Sequence, residues 1–80
     1  MANYKVIDCL RCNQVDSEHD DFNDAMNRCL DLAMEQADDD EDVDTFINGD
    51  NPETNPCGNW MAGACPNGDT GGYWPHVEYI

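Results

Sequence analysis

Between Asp16 and Asp44 the chain carries 13 acidic side chains and a single basic one, Arg28. Carboxylates are almost never buried unless paired. Most of these must therefore stand in solvent, and any core this stretch supplies has to come from a narrow apolar stripe. The stripe is there. At 100° per residue, Phe22, Met26, Cys29, Ala33 and Ala37 fall on one side, flanked by Ala25, Leu30 and Leu32, while Asp24, Asn27, Arg28, Asp31, Glu35 and Asp38 fall opposite. The spacing predicts an amphipathic helix over residues 20–37, with Ser17 and Asp20 as a short-armed capping box and Glu18, Asp20 and Asp21 suited to the positive end of its dipole. The run Asp38-Asp39-Asp40-Glu41-Asp42 lies at the negative pole, where further negative charge is unfavourable, so the helix should stop near Ala37.

The remaining segments read as strands and loop. Residues 3–10 alternate, with Tyr4, Val6 and Leu10 on one face and Lys5, Ile7 and Cys9 on the other. Residues 12–19 are polar and turn-like. Val43, Thr45 and Ile47 alternate with Asp44 and Phe46, giving a second strand at 43–48. All six glycines and three of the four prolines lie in residues 49–72, which is loop chemistry. Residues 73–80 close the chain as a third strand, and Pro75, lacking an N–H, favours an edge position. The expected fold is α+β, a single small domain over residues 1–80. It comprises a β-α-β unit at 3–48, a Cys-containing loop at 49–72 and a C-terminal strand at 73–80. One helix packs on a three-stranded sheet, burying Phe22, Met26, Val6, Ile47 and Val77. The β-α-β portion could form a parallel pair with a right-handed crossover.

Composition excludes several functions. With 18 Asp and Glu against three Lys and Arg the formal charge is −15 over 80 residues. Binding nucleic acid directly, or an anionic membrane, takes basic residues that this chain lacks. No apolar run approaches the roughly 18 residues of a membrane span. Without a basic segment followed by an apolar stretch near Met1, a cytoplasmic location is expected. The acidic run does not fit a calcium-binding EF-hand loop in either register: the Gly and Glu it requires fall on Val43 and Gly49, or on Gly49 and Asn55. His19 and His76 have no paired nucleophile at recognisable spacing, so a non-enzymatic role is expected.

The five cysteines divide into Cys29, which lies on the apolar side of the helix and packs as a small hydrophobe, and four others. Cys9 and Cys12 have the two-residue gap of a zinc half-site, whereas Cys57 and Cys65 are separated by seven residues. A structural zinc on Cys9, Cys12, Cys57 and Cys65, with His19 or His76 replacing one thiol, is one reading; reduced, packed thiols are the other. Trp74 is expected in the core. Trp60, in a Gly-rich loop, is a candidate interface anchor.

A helix of about 18 residues is about 27 Å long, and its carboxylates make a charge density comparable with one strand of a duplex, which advances about 3.4 Å per phosphate. The stretch Val15 to Asp44 resembles, in character and not by any signature motif, the small acidic anti-defence inhibitors carried by bacteriophages, among them anti-CRISPR and anti-restriction proteins that mimic DNA. The resemblance implies occupation of the nucleic-acid-binding groove of a host defence complex, in the host cytoplasm, by a monomer or homodimer. The working residues would be Asp24, Asp31, Glu35, Asp38, Asp39, Asp40, Glu41, Asp42 and Asp44, with Trp60 beside them. The alternative is a zinc-stapled interaction adaptor whose charge serves only solubility.

Overall fold

The structure, a computed structural model, describes residues 2–38, 42–67 and 74–80. The described residues form one helix and one five-stranded sheet. Strand β1 (Tyr4–Asp8) is followed by a 3-10 turn at Cys9–Arg11, strand β2 (Gln14–His19), helix α1 (Phe22–Gln36), strand β3 (Val43–Gly49), strand β4 (Trp60–Pro66) and strand β5 (His76–Tyr79). The sheet order is β2-β1-β5-β4-β3, and every pairing is antiparallel. The α+β class is as expected, but the sheet has five strands rather than three.

The helix forms where its apolar stripe lies. Phe22, Ala25, Met26, Cys29, Leu32 and Ala33 are buried, and they pack on Tyr4 and Val6 of β1, Ala62 and Ala64 of β4 and Val77 of β5. Tyr4 is the aromatic hinge of this layer. Its ring meets those of Phe22 and Tyr79 edge-on, and its hydroxyl donates to the Pro52 carbonyl at 3.1 Å. Asp21, in extended conformation, is the N-cap but makes no side-chain cap bond; Ser17, the expected capping residue, instead lies in β2 and bonds to the His19 ring. The last turn has no basic residue, and at Ala37 the backbone returns to an extended conformation, its N–H donating to the Ala33 carbonyl at 2.9 Å.

Four expectations are corrected. The β-α-β unit is not a parallel pair: β1 and β3 are separated by two strands, and every neighbour either one pairs with runs antiparallel to it. The segment read as turn-like at 12–19 contains β2, an edge strand reached through Cys12 and Asn13, both in the left-handed region at φ 61° and 58°. The loop read at 49–72 contains β4. Its Trp-Met-Ala-Gly-Ala-Cys-Pro sequence has small residues at its centre because α1 lies directly over Ala62 and Ala64. Finally, β5 is the central strand. Pro75 stands one residue before it, buried, and its missing N–H costs no ladder bond, while its carbonyl accepts from the Ala64 N–H at 3.1 Å. Ile47, expected in the core, is 53% exposed, and so is Leu10, expected on one strand face with Tyr4 and Val6. Trp74 is half-buried and packs against the core.

Antiparallel register assigns the faces. Tyr4, Val6, Val77, Ala62 and Ala64 point to α1, whereas Lys5, Ile7, His76, Glu78, Gly63, Met61, Cys65 and Phe46 belong to the outer face of the sheet. Among the described residues, no helix is long and apolar enough to cross a membrane.

Candidate functional site

Asp24, Asp31, Glu35 and Asp38 are all exposed and lie along the solvent side of α1 and its C-terminal exit, opposite the core stripe. At about 1.5 Å rise per residue, Asp24 and Asp31 are about 10 Å apart along the axis, and Asp31 and Glu35 about 6 Å. Asp42 and Asp44, at the start of β3, are exposed as well. Asp39, Asp40 and Glu41 lie outside the described residues.

What distinguishes this face is where the cations went. Arg28, the one basic residue of the helix, turns to β2: its Nε donates to Asp16 Oδ2 at 2.7 Å and its Nη2 to Oδ1 at 3.0 Å. This bidentate bond holds the Asp16 carboxyl below its usual range and raises the guanidinium. Arg11 faces Asp8 at 3.5 Å. Lys5 lies in register between Glu18 of β2 and Glu78 of β5. Arg28 and Arg11 are thus paired with carboxylates of the sheet, Lys5 stands in register between two more, and although Arg28 also feels the charges of Asp31 and Glu35, the outer helix face keeps a large excess of negative charge. One apolar side chain stands in that face, Met34, 61% exposed and three residues on from Asp31. The helical wheel carries the signal for it, since position 34 falls outside the core stripe.

Trp60 does not belong to this surface. It is half-buried, edge-on to Phe22 at 6.0 Å between ring centroids, with its indole N–H donating to the Pro56 carbonyl at 2.9 Å. The loop before it folds back through the Asp50 carboxylate, which accepts from the Asn59 N–H at 3.0 Å, so the ring closes the end of the core. Trp60 thus packs at the end of the core and keeps part of its ring exposed.

The four candidate zinc ligands do not converge. Cys9 and Cys12 flank the turn after β1, and Cys65 lies near the end of β4, whereas Cys57 precedes the start of β4, at the opposite end of the sheet. Among the described residues, no three His, Cys, Asp or Glu side chains are grouped to hold a metal ion. Cys29 is fully buried, as expected, and burial pushes its thiol up to about 12.

One constellation escaped sequence reasoning. On the outer face of the sheet, Cys9 Sγ lies 3.1 Å from His76 Nδ1, and His76 Nε2 lies 2.9 Å from Glu78 Oε2. The i, i+2 spacing of His76 and Glu78 on a strand could have placed those two on one face. Their approach to Cys9, 67 residues away in sequence, needed the β1–β5 pairing. Gly63 makes room for it. A Cβ built there would meet the Pro75 carbonyl oxygen and lie 2.8 Å from the His76 Cα.

Comparison with protein-family models, with curated proteins and with solved structures found no match for the chain.

Proposed function

We propose that the protein acts by occupation rather than catalysis, docking the outer face of α1 into a Lys/Arg-lined groove built for nucleic acid and excluding the nucleic acid from it. The observation that carries this reading is the segregation of charge. Asp24, Asp31, Glu35 and Asp38 face solvent along one helix and its exit, while Arg28 and Arg11 are paired with Asp16 and Asp8 and Lys5 stands in register between Glu18 and Glu78. A basic groove meets such a face with fast, electrostatically steered association, and Met34 supplies an apolar contact within it. The likeness of Val15 to Asp44 to phage anti-defence inhibitors points to the class of partner, a DNA-binding surveillance or restriction complex of a bacterial host.

The test is displacement of labelled DNA from purified complexes of that class, run at low and high salt. The wild-type protein blocks one of them, and the block weakens as salt rises. The variant carrying Asp24→Asn, Asp31→Asn, Glu35→Gln and Asp38→Asn keeps its fold. At about 0.5–1 kcal/mol per exposed charge, it loses about 2–4 kcal/mol of binding, or about 30- to 1,000-fold. A folded variant that blocks as well as wild type would sink the proposal.

A further inference from the structure

The thiol–imidazole–carboxylate row on the outer face of the sheet has no part in the docking surface, and its geometry is that of an assisted nucleophile. Glu78 Oε2 accepts from the Nε2–H of the neutral ring, which leaves Nδ1 as an acceptor aimed at the Cys9 thiol. Once Nδ1 takes up a proton it can also donate to the Trp74 carbonyl, 3.4 Å away, so the imidazolium finds an acceptor on each side. The arrangement is held by backbone pairing. His76 is flanked in register by Ile7 and Gly63, and only a residue without a Cβ at position 63 lets β5 lie there.

We propose that Cys9 is a base-assisted thiol site that forms a mixed disulfide with small neutral or cationic disulfides, with His76 as the base and Glu78 as the residue that positions it. The Cys9 proton passes to His76 Nδ1. The sulfur then attacks one sulfur of the reagent, forming a Cys9–S–S–R bond as the reagent's S–S bond breaks. The released thiolate recovers a proton from His76 or solvent, so that one thiol and one disulfide are consumed and one of each is formed. A proton acceptor is needed here. Burial, together with the carboxylates of Asp8 and Glu78, pushes the Cys9 thiol up, so free thiolate is scarce. The formal charge of −15 repels anionic disulfides and attracts cationic ones, which sets the class of reagent. Among the described residues, His76 of β5 and Cys29 of α1 also lie near the thiol.

Exposure alone would favour a different thiol, since Cys12 and Cys57 are both exposed and Cys9 is only partly so. The experiment treats the full chain with cystamine, a dicationic disulfide, and follows each cysteine by peptide mass mapping. Cys9 is expected to react at least about 10-fold faster than Cys12 or Cys57, a modest share of what general base assistance supplies. His76→Asn lowers the Cys9 rate about 10-fold and leaves the Cys12 rate alone. Glu78→Gln, at an exposed position that leaves the fold intact, lowers the Cys9 rate by a smaller factor. An anionic aromatic disulfide reacts more slowly than cystamine at low salt, and the gap narrows at high salt. A Cys9 rate no greater than that of Cys12, or one unchanged in both folded variants, would overturn the assignment. Because the site lies across the sheet from α1, either result leaves the docking reading to its own test.

Discussion

At the scale of single residues, the fold rests on a few polar groups that face the helix from the sheet. Asp16 and Arg28 tie β2 to α1, their side chains 14% and 37% exposed. Removing one partner leaves the other half-buried without its bond, so Asp16→Asn should cost about 1–2 kcal/mol, measurable by urea titration. Arg28 holds the folded carboxyl below its unfolded value. The stabilisation it gives is therefore complete above the unfolded value and disappears as pH falls through the folded one; Asp16→Asn should flatten the acid limb of the stability curve. At the alkaline end the sign reverses. Cys29 is raised from 9.0 to about 12, and burial raises Tyr4 too. Their contribution is complete below the unfolded values and is lost as pH climbs through the folded ones. Urea midpoints should fall from pH 9 upward, with a slope of at most about 1.4 kcal/mol per pH unit for each group. Cys29→Ala should remove part of that slope. Asp8 is only 2% exposed and takes both its oxygens to the Gln36 amide nitrogen, at 3.0 and 3.1 Å. Gln36→Leu strands that carboxylate with Arg11 alone.

At the scale of elements, the decisive strand is β4. It sits between β5 and β3, with α1 above Ala62 and Ala64 and with His76 packed against Gly63. Gly63→Ala puts a methyl group into the Pro75 carbonyl and the His76 backbone, where no flexible side chain can give way. It should cost about 2–4 kcal/mol and abolish fast labelling of Cys9, both measured on one preparation. The helix was legible because its period is written in eleven or more residues with few exceptions, and β1 and β3 were legible by alternation. The two missed strands failed for different reasons. β2 is an edge strand of mostly polar residues, half of them exposed and none buried, so it offers no apolar alternation to detect. β4 is assembled from small residues within a Gly- and Pro-rich stretch, where composition masks a strand whose burial comes from the elements around it.

At the scale of the molecule, self-repulsion is the large opposing force. A formal charge of −15 on 80 residues destabilises the compact state. Salt screens it, with a Debye length near 10 Å at about 0.1 M. Raising sodium chloride from 10 to 300 mM should therefore stabilise the fold, and a gain of about 1 kcal/mol would lift Tm by about 4–8 °C in a domain of this size. The variant with Asp24, Asp31, Glu35 and Asp38 neutralised, four fewer charges on α1 and its exit, should start from a higher Tm and respond less to salt. Calorimetry at two ionic strengths checks both. The same repulsion opposes association of two copies through their helix faces.

Local pattern in the chain was enough to set the α+β class, the amphipathic helix with its buried Cys29, and the exposure of the helix carboxylates. Each of these follows from local periodicity and from the high cost of burying unpaired charge. Long-range packing set where Arg28 and Arg11 pair, that Trp60 meets Phe22 edge-on, that Cys57 lies at the opposite end of the sheet from Cys9, Cys12 and Cys65, and that Cys9, His76 and Glu78 meet. Those outcomes depend on strand order and register. They arise from pairing between segments far apart in the chain, and β5 becomes central only because β1 and β4 both find an edge on it.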